Sequence, residues 1–373
     1  MKAEKGRKRK MSRKQFVLIE WTILLVIIVG LIVGGICLVR RRHAGKTDRK
    51  DLQQSEKYSA ASEKDDKDTC TFSFAGDCTI GSLLEWQGSL DMDFQSVVRE
   101  DYAYPFSSVR EIFGRDDFTV VNLEGTFTDS EDAVEKPYRF KADPVYVNVL
   151  QEGGVDAVSL ANNHSGDFGA EGKKDTIAAL DTAGILHSDA YAPLICEMPN
   201  GITVGIVSYN TVDNHVGEWQ WRQDIKADIG ACKDADCDLM IGFMHWGTVE
   251  YLTEPESWEV QLAHDMVDWG CDLIVGGHAH ILQRMEYYND APIFYSLGNF
   301  CYGGNTNPDD KDSVIVQAEY TRDDSKKRIV RSVLRVIPCE ISARKDLNDY
   351  CPTPCAEGSD AYRRICDKLE WTG

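Results

Sequence analysis

Apolar residues fall into three patterns along this chain. The first is an unbroken run of 19 uncharged residues from Trp21 to Val39, rich in Ile, Leu and Val, which reaches back to Phe16 if Glu20 is tolerated near one end. At about 1.5 Å of rise per residue, some 20 such residues span the roughly 30 Å hydrocarbon layer of a bilayer. The run is longer than the apolar core of a cleavable signal peptide, and no A-x-A-like site follows it. It predicts a single transmembrane helix over 16–39.

The second pattern is a series of short apolar runs: CTFSFAGD, FTVVNLEG, DAVSLANNH, ITVGIVSYN, DLMIGFMHWG, DLIVGGHAH and PIFYSLGNF. Nearly continuous runs of this length suit strands covered on both faces. The third pattern lies between them. KKDTIAALDTAG and WEVQLAHDMVDWG carry apolar residues at helical spacing and predict amphipathic helices. Past Asp312, SVIVQAEY and RIVRSVLRVIP flank the turn-forming RDDSKK and predict an antiparallel hairpin. Strands alternating with helices define an α/β or mixed α/β class, a layered sandwich before a closed barrel.

Charge divides the chain. Residues 1–50 hold 14 Lys and Arg against 3 Asp and Glu, whereas residues 51–373 hold 27 against 58, a formal charge near −31. Such a body repels nucleic acid, while the basic N-terminal flank suits anionic headgroups. Eight cations precede the apolar run and six follow it, which modestly favours a cytoplasmic N-terminus and an outward-facing body. The expected organisation is a basic cytoplasmic tail (1–15), the membrane helix (16–39), a charged linker (40–69), the main domain (70–320), and a C-terminal strand with a Cys-containing tail packed on it (321–373). Eleven of the 12 cysteines lie in the body. Cys232 with Cys237, or Cys351 with Cys355, have spacings that allow pairing outside the cytoplasm, and buried free thiols fit as well.

Polar residues collect where the apolar runs end. Asp77 closes the first, Glu124 the second, Asn163 and His164 the third, His245 the fifth, and His278 and His280 the sixth. Each alone has a plain explanation: a Gly-Asp turn, an Asn helix cap, a core histidine beside Trp246. Together they differ, because ligand sites in open α/β sheets lie outside the carboxyl ends of strands. Four of the seven histidines beyond residue 69 stand at such ends, with acids between them. Asp77, Glu124, Asn163, His245, His278 and His280 supply the mixed oxygen and nitrogen donors of a centre for two divalent ions, with manganese, iron, zinc or magnesium all compatible.

The series GDCTIG, NLEG, ANNHSGDFG, HWGTVEY, GGHAH and YSLGNF resembles the capsule-synthesis protein CapA family, also called poly-γ-glutamate synthesis proteins. That family looks like a branch of the calcineurin-like metallophosphoesterase superfamily. The resemblance covers roughly residues 70–305. It implies a four-layer αββα sandwich and a two-metal centre on the six residues named above, with His164 as the non-ligand histidine that contacts substrate or protonates a leaving group. Thr79 stands where the superfamily usually has a histidine, and Glu124 where it usually has an aspartate. Trp246, Glu250, Tyr251 and Asn299 are expected to line a substrate pocket, with core packing an equally good explanation of Trp246 and Tyr251.

Three functions fit these expectations. The first is a membrane-anchored surface protein acting in synthesis or export of a poly-γ-glutamate-type capsule polymer, beside other capsule-synthesis membrane proteins. The second is a metal-dependent phosphoesterase hydrolase unrelated to capsule. The third is a non-catalytic module that binds an anionic polymer. The negative body opposes a polyanion everywhere except at a metal-lined cleft.

Overall fold

The computed structural model describes residues 69–87, 92–212, 218–323 and 328–372. The apolar run 16–39 and nearly all of the charged linker therefore lie outside the described residues. Among the described residues no helix is long and apolar enough to cross a membrane.

The body opens with β1 (Thr69–Thr79), β2 (Ser82–Leu83), α1 (Phe94–Val98), α2 (Arg110–Phe113), β3 (Phe118–Leu123), β4 (Thr126–Phe127) and β5 (Phe140–Ala142). After a 3-10 turn at Pro144–Tyr146 come α3 (Val147–Gly153), β6 (Ala157–Ser159), α4 (Gly169–Ala183), β7 (Leu186–Ser188), β8 (Leu194–Glu197) and β9 (Thr203–Asn210). The chain continues through α5 (Glu218–Asp234), β10 (Leu239–His245), α6 (Ser257–Trp269), β11 (Leu273–Gly277), β12 (Met285–Tyr288), β13 (Ala291–Phe294) and β14 (Asn299–Tyr302). It closes with β15 (Asp312–Asp323), β16 (Arg328–Glu340), β17 (Thr353–Pro354) and α7 (Asp360–Lys368).

One sheet has eight strands in the order β17-β16-β15-β1-β3-β6-β7, with β14 pairing beside the end of β1; a second has six in the order β12-β13-β11-β10-β9-β8; β2, β5 and β4 form a small third. Alternation along the strands builds the layers. Phe72, Phe74, Phe118 and Val120 of the first sheet meet Val204, Ile206, Ile241, Phe243, Leu273 and Val275 of the second in one shared core. The opposite face of the first sheet, with Val121, Leu123 and Val158, packs under Val149 and Leu150 of α3 and Leu180 of α4. The outer face of the second, with Val207 and Ile274, packs under Ile225 and Ile229 of α5 and Leu262 and Met266 of α6. The fold is a mixed α/β structure of two facing sheets with helices outside.

The run PIFYSLGNF, read as one strand, is two. β13 lies in the second sheet and β14 in the first. Between them Gly298 adopts φ +66, and Ser296 Oγ accepts from Gly298 N at 3.1 Å while donating to Ile281 O at 2.7 Å. The turn carries the chain from one sheet to the other. The expected hairpin is β15 and β16, paired antiparallel from Asp312 with Glu340 onward, so residue 320 lies inside a strand. Helix α7 then adds Ile365 to the core between the sheets, and its Arg364 and Lys368 ion-pair with buried Asp312. Every cysteine from Cys70 onward is a free thiol, Cys232, Cys237, Cys351 and Cys355 included.

Candidate metal centre

Parallel pairing of β1 with β3 in one sheet, and of β9, β10 and β11 in the other, brings their carboxyl ends together. Asp77 stands at the end of β1 with no exposed surface. Its Oδ1 accepts from Asn122 Nδ2 at 2.7 Å and its Oδ2 from His278 N at 3.0 Å. The register of β1 against β3 shifts between Phe74 and Asp77, next to Gly76, where a β-carbon would stand 1.9 Å from Gly298 O. Glycine there lets the β13–β14 crossing press against β1.

Glu124 lies just past β3, fully buried, and neither of its carboxylate oxygens has a hydrogen-bond partner. Around it stand His245 Nε2 at 3.4 Å and His280 Nε2 at 3.9 Å from Oε1. His245 Nε2 is also 2.7 Å from Asn163 Oδ1. His278 and His280 follow β11 at φ +85 and φ +58, left-handed conformations that cost a non-glycine residue free energy and recur at functional sites. His280 Nδ1 lies 2.9 Å from Asn299 Oδ1, and Asn299 Nδ2 donates to His280 O at 3.0 Å. That pair holds the His280 ring with Nε2 turned toward Glu124. His278 Nδ1 is buried without a partner, its ring 5.0 Å from that of His245.

Asp77, Glu124 and His280 each offer a ligand atom within 4.8 Å of the others. Asn163 and His245 stand beside this group, His245 Nε2 facing both Asn163 Oδ1 and Glu124 Oε1, and the His278 ring lies next to that of His245. Burial sets their protonation. It raises Asp77 despite His280 and Asn122, and holds Glu124 well above the usual carboxylate range, with Asp77 adding to the effect. It pushes His245 well down and His278 to about 3, the neighbouring imidazoles adding to both. Neutral imidazole is the ligand form, and a divalent cation would make the two carboxylates ionise. The orphaned oxygens of Glu124 and the orphaned Nδ1 of His278 are what such a cation would satisfy. The residues fit a metal.

His164 stands beside this cluster. Its Nδ1 is 2.9 Å from Oδ2 of Asp167, which has no exposed surface, and burial lowers the pKa of the His164 imidazole. Asp167 also accepts from Phe140 N at 2.7 Å and ion-pairs with Lys136 at 2.5 Å. Lys136 Nζ in turn donates to Asn163 O at 2.6 Å.

The four pocket residues divide. Tyr251 is 57% exposed, its ring 6.1 Å from His280. Half-buried Glu250 is close enough for its charge to raise Glu124. Asn299 instead has both ends of its carboxamide engaged by His280. Trp246 is turned away: it is buried in the outer core of the second sheet, and its indole donates to Tyr295 O at 2.8 Å. Strand alternation decides this, since His245 takes the inward position and its neighbour the outward one. Sequence reasoning passed over Asn122, Asp167, Lys136 and Tyr302, whose ring lies 5.4 Å from that of His280. Asn122 is two residues before Glu124, and its Nδ2 bridges Asp77 and His245 Nδ1.

These features define a two-sheet α/β protein whose strand ends converge on a buried cluster of carboxylates, carboxamides and imidazoles. Residues 71–303 match the family described as "Bacterial capsule synthesis protein PGA_cap", and the chain belongs to that family. It is 28% identical over 323 residues to a "PGA biosynthesis protein CapA" of Bacillus subtilis (strain 168), spanning 81% of this chain and 78% of that protein. It is 31% identical over 248 residues to a "Capsule biosynthesis protein CapA" of Bacillus anthracis, spanning 61% and 57%. A solved calcineurin-like phosphoesterase from Bacillus subtilis aligns at a TM-score of 0.42 and 11% identity, over 82% of this chain and 98% of that one.

Proposed function

We propose that this protein acts in synthesis or export of a poly-γ-glutamate-type capsule polymer, anchored by residues 16–39 with its body outside the membrane, and that its centre holds two divalent cations. Its relatives' names carry the polymer assignment. The observation that carries the metal assignment is Glu124, a buried carboxylate with two orphaned oxygens between Asp77, His245 and His280.

Cations held there would polarise a phosphoryl or carbonyl oxygen and lower the pKa of water. The chain's own residues supply the rest. Asp167 accepts at Nδ1 of His164, which leaves Nε2 to exchange a proton with a bound substrate. Exposed Tyr251 lies beside His280, and Glu250 is near enough for its charge to act on Glu124. A divalent centre would place positive charge within a body of net negative charge, where an anionic polymer could be held.

A second reading, a phosphoesterase without a capsule role, draws support from the His164–Asp167 pair, an arrangement able to protonate a leaving group. Capsule polymer measured in a deletion strain complemented with wild type, His245→Ala or His164→Ala separates them. Polymer restored by wild type alone supports the capsule reading. Polymer unaffected by the deletion, with manganese-dependent phosphodiester cleavage by the purified full-length chain, supports the second.

A further inference from the structure

Thr79 follows Asp77 by two residues, and packing gives its hydroxyl no role. Cys78 and Ile80 point into the core between the first sheet and its helices. Alternation turns Asp77 and Thr79 to the other face, where the donors gather. Thr79 is fully buried, and its Oγ1 has no hydrogen-bond partner. Valine would fill the same space without a buried hydroxyl to desolvate, and it favours strands at least as well. The position beside Thr79 is also informative. Across the pairing with β14 its Cα partner is Tyr302, whose ring is 5.4 Å from that of His280. Thr79 is thus the strand neighbour of a residue whose ring flanks His280.

We propose that Thr79 Oγ1 is an oxygen donor, directly or through one water, to the cation held by Asp77, Glu124 and His280, and that it makes this pocket select manganese or magnesium over zinc. The proposal rests on the metal-centre reading above. Two carboxylates, one hydroxyl and one imidazole form an oxygen-rich set suited to hard cations, whereas zinc prefers nitrogen and sulfur donors. Asn163, His245 and His278 are a nitrogen-richer set, so a second cation held by them would meet a different donor chemistry.

The test uses the full-length chain in detergent, stripped with a chelator and titrated separately with manganese, magnesium and zinc chlorides. Calorimetry gives affinities, and elemental analysis counts bound ions. Thr79→Val is expected to weaken manganese binding at one class of site by about tenfold or more, leave the other class unchanged, and leave the metal-free fold at least as stable. Thr79→Ser should keep wild-type affinity, and Thr79→His should shift that site toward zinc. Equal manganese affinity for wild type and Thr79→Val, with Glu124→Gln losing it, overturns the role of Thr79 and leaves the metal centre standing. Wild type and Glu124→Gln binding alike, or not at all, overturns both.

Discussion

Asp77 Oδ1 fills the space beside Gly277, so that a β-carbon on residue 277 would stand 2.4 Å from it. The end of β1 in one sheet and the end of β11 in the other thus touch through a carboxylate and a residue lacking a side chain. Gly277→Ala should displace Asp77 from its bonds to Asn122 and His278 N. An overpacking cost of about 1–3 kcal/mol is expected, together with loss of most divalent-cation affinity. Thermal unfolding with and without manganese reads both effects. Unchanged metal binding in a destabilised variant would show that Asp77 is a packing residue and not a ligand.

Glu124 sets function against stability. Without a cation its carboxyl is buried beside Asp77 and lacks any hydrogen-bond partner. Glu124→Gln removes an acid that burial opposes. The metal-free variant should be as stable as wild type at neutral pH, or more so by about 1–3 kcal/mol. Its melting temperature should no longer rise with manganese. A wild-type response to manganese in this variant would exclude Glu124 from the site.

How much of this centre was legible in the sequence follows from its physics. Donors at strand ends announce themselves, because an apolar run that stops at Asp77, Glu124 or His245 has a local signature. The spacing of two in GGHAH likewise marks His278 and His280. Residues that orient the donors carry no such mark. Asn122 lies inside an apolar run and Lys136 in a loop remote in sequence, so only the fold brings them within bonding distance, while Asp167, three residues from His164, sits unmarked in a turn-like GDFG. Trp246 misled because adjacency to a ligand says nothing of which way a strand residue faces. The split of PIFYSLGNF between two sheets depends on Gly298, whose positive φ the apolar pattern does not encode.

Trp246 and Tyr251 lie five residues apart in one motif and should fail differently. Trp246→Phe removes the bond to Tyr295 O from a sealed core. It should lower stability by about 1–3 kcal/mol while sparing manganese affinity. Tyr251→Ala, at an exposed position near His280, should leave stability within about 0.5 kcal/mol of wild type. Its effect should appear in polymer production or substrate affinity. The reverse pattern, stability loss at Tyr251 and functional loss at Trp246, would mean that the second sheet faces the site by its other side.

Glu259 gives the body a pH dependence separable from the metal centre. It sits in the first turn of α6, in a capping box with Glu256, and burial raises its carboxyl to about 7, with Glu256 adding to the effect. The folded state therefore holds a proton that the unfolded chain gives up near its ordinary value of 4.5. The stability this group contributes is complete below that value and is lost as pH rises through 7. Buried His245 and His278 act oppositely below their ordinary range near 6.5, since unfolding lets them take up protons. Comparing wild type with Glu259→Gln at each pH cancels those terms. The variant should gain on wild type between pH 5 and pH 8 by something on the order of 2 kcal/mol, measured by urea unfolding in the absence of metal. A difference that stays flat across this range would mean that Glu259 is ionised in the folded protein and held by its backbone bond to Glu256 alone.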